Sequence, residues 1–204
     1  MNEDWLRPEV TSQGAGAEAK ARLIAAYGEP QRRYHDMTHI ADGLAQLRAV
    51  EGLTDEERTW LAYAIWWHDA VYDPTRSDNE AQSAALARRD LALLGEPAQA
   101  IAEVARLIEL TKGHQVEAGD RLGALLVSID LSILGRDPAA YAAYASAVRE
   151  EYGHVPDALF RPGRAAVLEH LLTARPLYPD EAYRHRFEAQ ARRNMSAERA
   201  ALLA

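Results

Sequence analysis

Apolar residues recur at spacings of three and four along nearly the whole chain, and the two-residue alternation of a half-buried strand is almost absent. In "THIADGLAQLRAV" Ile40, Leu44 and Leu47 fall on one helical face. A chain built this way must bury helical stripes against one another, which predicts an all-α fold of about eight to nine helices. Ala is abundant, and Leu, Glu and Arg fill most of the remaining helix positions, as good helix formers do.

Boundary residues divide the pattern. "GAEAKARLIAAYGEP" is a helix closed by Gly28 and Pro30. "TDEERTWLAYAIWWHDAVYD" opens with a capping box, Thr54 with Glu57, and is apolar nearly all round, which marks a central helix. "SDNEAQSAALARRDLALLG" reads as a second box, Ser77 with Glu80, stopped at Gly95. Pro97 suits the first turn of the next helix, which runs to Thr111. "RLGALLVSIDLSILG" is expected to be one core helix, and "DPAAYAAYASAVREEYG" has Asp137 as cap and Pro138 at its first position. Two helices at roughly 163–174 and 179–202 finish the chain. No repeat, linker or composition break divides it, so a single domain over 1–204 is expected, with 1–14 poorly ordered or an N-terminal extension.

Composition narrows the chemistry. The 204 residues suffice for one sizeable core, and a net charge of −8 repels nucleic acid and anionic membranes. The absence of Cys excludes disulfides, thiolate metal sites and cysteine nucleophiles. "MNEDWLRPEV" is acidic without an apolar stretch and does not read as a signal peptide, and no apolar run approaches the ~20 residues of a membrane span. A soluble, cytoplasmic protein is the expectation. No Gly-rich phosphate loop, Ser-His-Asp set or basic nucleic-acid stripe is present.

"AIWWHDAVYDP", residues 64–74, ends the central helix by placing His68 beside Asp69. A carboxylate in such surroundings must be paired or bind a cation, because unpaired burial is expensive. Asp130, embedded among Leu125, Leu126, Ile129, Leu131 and Ile133, poses the same problem, and His39 stands near the start of another amphipathic helix. These imidazoles and carboxylates, with no matching buried Lys, form a donor set for one divalent metal. Mn, Fe, Ni, Co and Zn suit it, with Mg a further candidate.

The order His39 … His68-Asp69 … Asp130 resembles the H…HD…D signature of the HD superfamily of metal-dependent phosphohydrolases. The segments "RRYHDMTHI", "AIWWHDAVYDP", "DNEAQSA", "REEY", "RPGRAAVLEHLL" and "EAQARRNMSAE" are similar, nearly end to end, to a predicted phosphohydrolase family of that superfamily. Where the family's first motif usually reads Tyr-His-Asn, Asp36 stands here, which alters local charge and keeps a helix cap. The resemblance implies an HD-domain-like helical bundle with His39, His68, Asp69 and Asp130 as metal ligands. It also implies hydrolysis of a phosphate ester or phosphoanhydride in a small molecule, a nucleotide among the candidates.

Further roles follow for named residues. Asp69 would ligate and accept a hydrogen bond from the attacking water. Arg32 or Arg33 offers a bidentate phosphate clamp, the resemblance favouring Arg32. His35 shares a face with His39 if the helix is continuous, and meets substrate phosphate if Asp36 caps it; the second arrangement is preferred. Glu80 either completes the Ser77 box or holds a water near the metal. His114, with Lys112, is either an exposed loop residue or part of an anion site. Asp73 fits the turn before Pro74, Arg149 and Arg164 read as ion-pair partners, and Tyr141/Tyr144 and Trp66/Trp67 read as core packing. Two rival readings use the same ligands. A di-iron oxygenase needs more His between the HD pair and the last Asp, where only His114 stands, and a non-catalytic metal or nucleotide sensor needs no turnover. A homo-oligomer is open; no membrane or nucleic-acid partner is expected.

Overall fold

The computed structural model describes residues 14–204, so the expectation for the N-terminal extension lies, apart from Gly14, outside them. Among the described residues are nine α-helices, one 3-10 helix and no strand, as the periodicity predicts. Their internal contacts group them into two compact units, Met1–Glu117 and Ala118–Ala204.

In the first unit, α1 (Ala15–Tyr27), α2 (Met37–Arg48), α3 (Asp55–Trp67), α4 (Asn79–Leu93) and α5 (Ala98–Leu110) surround a core centred on α3. The Thr54–Glu57 box forms in both directions and starts α3. The helix then buries Leu61, Tyr63, Ala64, Ile65, Trp66 and Trp67, packing against α2, α4 and α5. Each large apolar side chain so buried contributes roughly 1.5–3 kcal/mol. Polar ties fix its lower end. The Tyr27 hydroxyl donates to the Trp66 carbonyl at 2.8 Å, joining α1 to α3. Asp90, 1 % exposed, accepts from Arg22 at 2.8 Å, from Arg89 and from the Trp67 indole at 3.3 Å, so one carboxylate joins α1, α3 and α4.

The Ser77–Glu80 box does not form. The helix starts at Asn79, and the carboxylate of Asp78, at the capping position, is taken by Arg76 and Gln82. Ser83, one turn inside α4, instead receives the Val71 N–H at 3.0 Å and anchors the segment after the HD pair. Gly95 ends the element with φ +77, a conformation that strains residues with a side chain.

The second unit contains α6 (Arg121–Asp130), a 3-10 helix (Leu131–Gly135), α7 (Pro138–Glu151), α8 (Asp157–Thr173) and α9 (Glu181–Leu203). The expected single helix over 121–135 tightens after Asp130. Its tightened turn lies directly under α9: a Cβ on Gly135 would stand 2.4 Å from the Cβ and 2.9 Å from the Cα of Phe187, so only glycine fits. Asn194 fastens the same turn by donating to the Leu134 and Arg136 carbonyls at 2.9 Å each. Asp137 caps α7 as expected, accepting from Ala139 and Ala140. Helix α8 begins well before 163 and continues through Pro162, which removes one backbone bond without ending the helix. It packs along α9. Among the described residues no helix is long and apolar enough to cross a membrane.

Candidate metal centre

Two helix ends bring the first donors together. Asp36 accepts from the Thr38 and His39 N–H groups at 2.7 and 3.4 Å, which starts α2 and sets His39 in its first turn. His68 is the residue that closes α3, and it is 4 % exposed. The two Nε2 atoms lie 3.1 Å apart. The Asp69 Oδ2 is 3.1 Å from His68 Nε2 and 3.8 Å from His39 Nε2. One ligand atom from each of His39, His68 and Asp130 lies within 4.8 Å of the other two, a group able to hold a metal ion.

The protonation of His68 follows from its other nitrogen. Nδ1 lies 2.9 Å from the Ile65 carbonyl, and a carbonyl can only accept, so Nδ1 carries the proton. In the neutral ring Nε2 is then a lone pair. It faces the Asp69 carboxylate. Burial pushes that carboxyl up, but when the His68 ring is doubly protonated its charge and hydrogen bond, with the charges of His35 and His39, hold it well below the usual carboxylate range. A lone pair against a carboxylate repels unless a proton or a cation stands between them. A divalent cation satisfies Nε2 of both rings and Oδ2 together, and the Nδ1–carbonyl bond is the support a ligating histidine requires. The residues therefore fit a divalent metal.

Arg32 is placed differently from the expected clamp. Its side chain is 1 % exposed and ion-paired to Glu29 through Nε at 3.0 Å. Nη1 donates to the carbonyls of His35 at 3.1 Å and Asp69 at 2.6 Å, and Nη2 to that of Ala70 at 3.2 Å. The guanidinium also lies over the rings of Tyr27 and Tyr72. Its donors are turned inward, where they tie the loop before α2 to the HD turn.

His35 precedes the Asp36 cap and so lies outside α2, stacked on Tyr72 with ring centroids 4.2 Å apart. Tyr72 escaped the sequence reading, although its place three residues after Asp69 on an irregular segment pointed to it. Glu80 sits in the first turn of α4, half-buried, one turn before Ser83 on the same face. His114 adopts φ 52 after α5, in the left-handed region, while the Lys112 ammonium donates to the Ser77 carbonyl at 2.9 Å. Asp73 accepts from Thr75 and shapes the turn before Pro74. Arg149 pairs with Asp157 and two carbonyls.

In the second unit, the two tyrosines read as core packing carry hydroxyls into a buried polar network with Arg164 and Glu198. Glu198 accepts from Arg164 Nε at 2.9 Å and Nη2 at 3.2 Å, and from the Tyr141 hydroxyl. Tyr144 accepts from Arg164 Nη2 at 3.2 Å. Burial pushes both phenols up. Glu198 was legible in principle, since it continues the buried face of α9 set by Ala191, Asn194 and Met195.

No family model, curated protein or solved structure matches the chain. Fold and site define an all-α protein with a His/His/Asp group able to bind a metal ion.

Proposed function

We propose that the protein is a metal-dependent phosphohydrolase that cleaves a phosphate ester or phosphoanhydride of a small molecule, nucleotides included, in keeping with its resemblance to the HD superfamily. The observation that carries the reading is the His68 lone pair, fixed by the Ile65 carbonyl and aimed at both His39 and the Asp69 carboxylate. His39, His68, Asp69 and Asp130 would hold the ion. A divalent metal there supplies Lewis acidity toward a phosphoryl oxygen and toward water.

The remaining work falls to the chain. Asp69 stays ionised, so the oxygen turned away from His68 can accept a hydrogen bond from the attacking water and align it. His35, outside α2 and stacked on Tyr72, would meet a phosphoryl oxygen. Arg32 positions both of these residues through their backbone carbonyls. Leaving-group protonation would fall to water.

The test is a screen of nucleotides and sugar phosphates with several divalent metals, reading released phosphate. Chelator-sensitive release from at least one compound is expected. No release from any compound by metal-loaded protein would instead favour a non-catalytic sensor using the same ligands.

A further inference from the structure

Tyr72 is fixed more firmly than its place on an irregular segment requires. Side chains of α4 hold the residues on either side of it. Ser83 Oγ accepts from the Val71 N–H at 3.0 Å and donates to the Val71 carbonyl at 3.3 Å. Asn79 Oδ1 accepts from the Asp73 N–H at 3.2 Å, and its Nδ2 donates to the Asp73 carbonyl at 2.8 Å. With the backbone bound before and after it, Tyr72 leaves the chain in a set direction. Its ring is half-buried and lies outside the core. The ring stands 5.5 Å from the Arg32 guanidinium, a side chain 1 % exposed. It stacks on the His35 imidazole with centroids 4.2 Å and planes 26° apart. Together these contacts favour one plane for both rings.

The stack leads to the metal group within the first unit. The His35 centroid is 6.1 Å from that of His39, which is 5.2 Å from that of His68. Tyr34 meets His35 edge-on at 5.0 Å and His39 at 4.9 Å. His35 precedes the Asp36 cap, so neighbouring rings, and not the packing of α2, set its imidazole. We propose that Tyr72 is the positioning residue of this site: its stack holds the His35 imidazole beside the His39 ring, where it meets a phosphoryl oxygen. This rests on the phosphohydrolase reading, in which His35 makes that contact. Tyr72 acts through His35 and touches no reacting atom. The flat face of the ring does this work, so Tyr72→Phe keeps the role. Tyr72→Leu, apolar without a flat face, loses it. A tyrosine that only packed would lower the melting temperature when removed, without singling out His35.

The experiment titrates inorganic phosphate into the zinc-loaded full chain by calorimetry, with metal content and melting temperature measured on the same preparations. Proton NMR of the His35 ring reports the stack directly, because protons over the face of Tyr72 are shielded. Tyr72→Leu is expected to raise the phosphate Kd by about three- to tenfold at unchanged metal content, the range a lost aromatic pair supplies. Its His35 ring protons should move downfield, whereas Tyr72→Phe should match wild type in both readouts. His35→Ala should bind weakly as well, and adding Tyr72→Leu to it should cost nothing more, since the two act as one unit. If the Leu variant fails to fold, Tyr72→Met, flexible and without a flat face, takes its place. A Tyr72→Leu protein within about twofold of wild type overturns the proposal. So do losses that multiply in the double variant, a Leu variant that loses its metal, and wild type that binds no phosphate. Binding that follows the expected pattern without turnover of any phosphorylated compound removes the hydrolase reading and leaves the role of Tyr72 standing.

Discussion

Replacing Arg32 by Ala removes a fully buried guanidinium from the carbonyls of His35, Asp69 and Ala70. A hydrogen bond from a charged donor contributes roughly 1.5–3 kcal/mol, so three of them set an upper bound near 5–9 kcal/mol. Water entering the vacated space restores part of this, and Glu29, 41 % exposed, rehydrates easily once released. The net loss is then about 3–4 kcal/mol, in the range for breaking one partner of a buried ionic contact. For a chain of this size each kcal/mol shifts the melting temperature by about 2–4 °C, so a fall of roughly 10 °C is expected. Metal occupancy should fall with it, because the turn that carries Asp69 loses its fastening. Arg32→Lys should recover little, since one ammonium cannot span three carbonyls. Thermal melts followed by circular dichroism and elemental analysis of the same samples provide the assay. A melting temperature within about 2 °C of wild type, combined with lost phosphate binding, would refute the positioning role and restore the clamp expected from sequence.

Two further outcomes follow from the same geometry. Asp90→Ala should destabilise by about 2 kcal/mol in urea unfolding, because the buried Trp67 indole N–H loses its acceptor, while Arg22 and Arg89, 39 % and 56 % exposed, turn to solvent; an unchanged midpoint would remove that tie from the account. The folded Asp69 carboxyl lies below its unfolded value of about 3.9. Its contribution is complete above that pH and is lost as pH falls toward the depressed folded value. The stability difference between wild type and Asp69→Asn should accordingly shrink between about pH 5 and pH 2, and a gap that stays constant would contradict the shift.

Local chemistry explains what sequence alone revealed. The Thr54–Glu57 box, the Asp137 cap and the apolar stripe of α2 are interactions within one or two turns, and each appears where the spacing puts it. The Ser77–Glu80 box failed because the helix starts one residue later, with Asp78 at the capping position and Glu80 second in the helix rather than third. The break after Asp130 was hidden because a 3-10 turn keeps apolar side chains such as Leu131 and Leu134 buried, and the approach of Phe187 to Gly135 at its end comes from a helix remote in sequence. Among the site residues, His39, His68 and Asp130 were legible because ionisable groups on apolar helices are costly without a partner. The inward role of Arg32 was not, since its acceptors are carbonyls, which every residue has. Nor were the Tyr141 and Tyr144 hydroxyls, whose partners Arg164 and Glu198 come from two later helices.

The most direct measurement is the metal content of purified wild type set beside His68→Ala and Asp130→Ala. One divalent metal ion per chain in wild type is expected, because His39, His68 and Asp130 present one ligand atom each within 4.8 Å and Asp69 adds a carboxylate to the two rings. Both variants should lose it while remaining helical. Wild type that takes up no ion at saturating metal, or variants that retain full occupancy, would contradict the account.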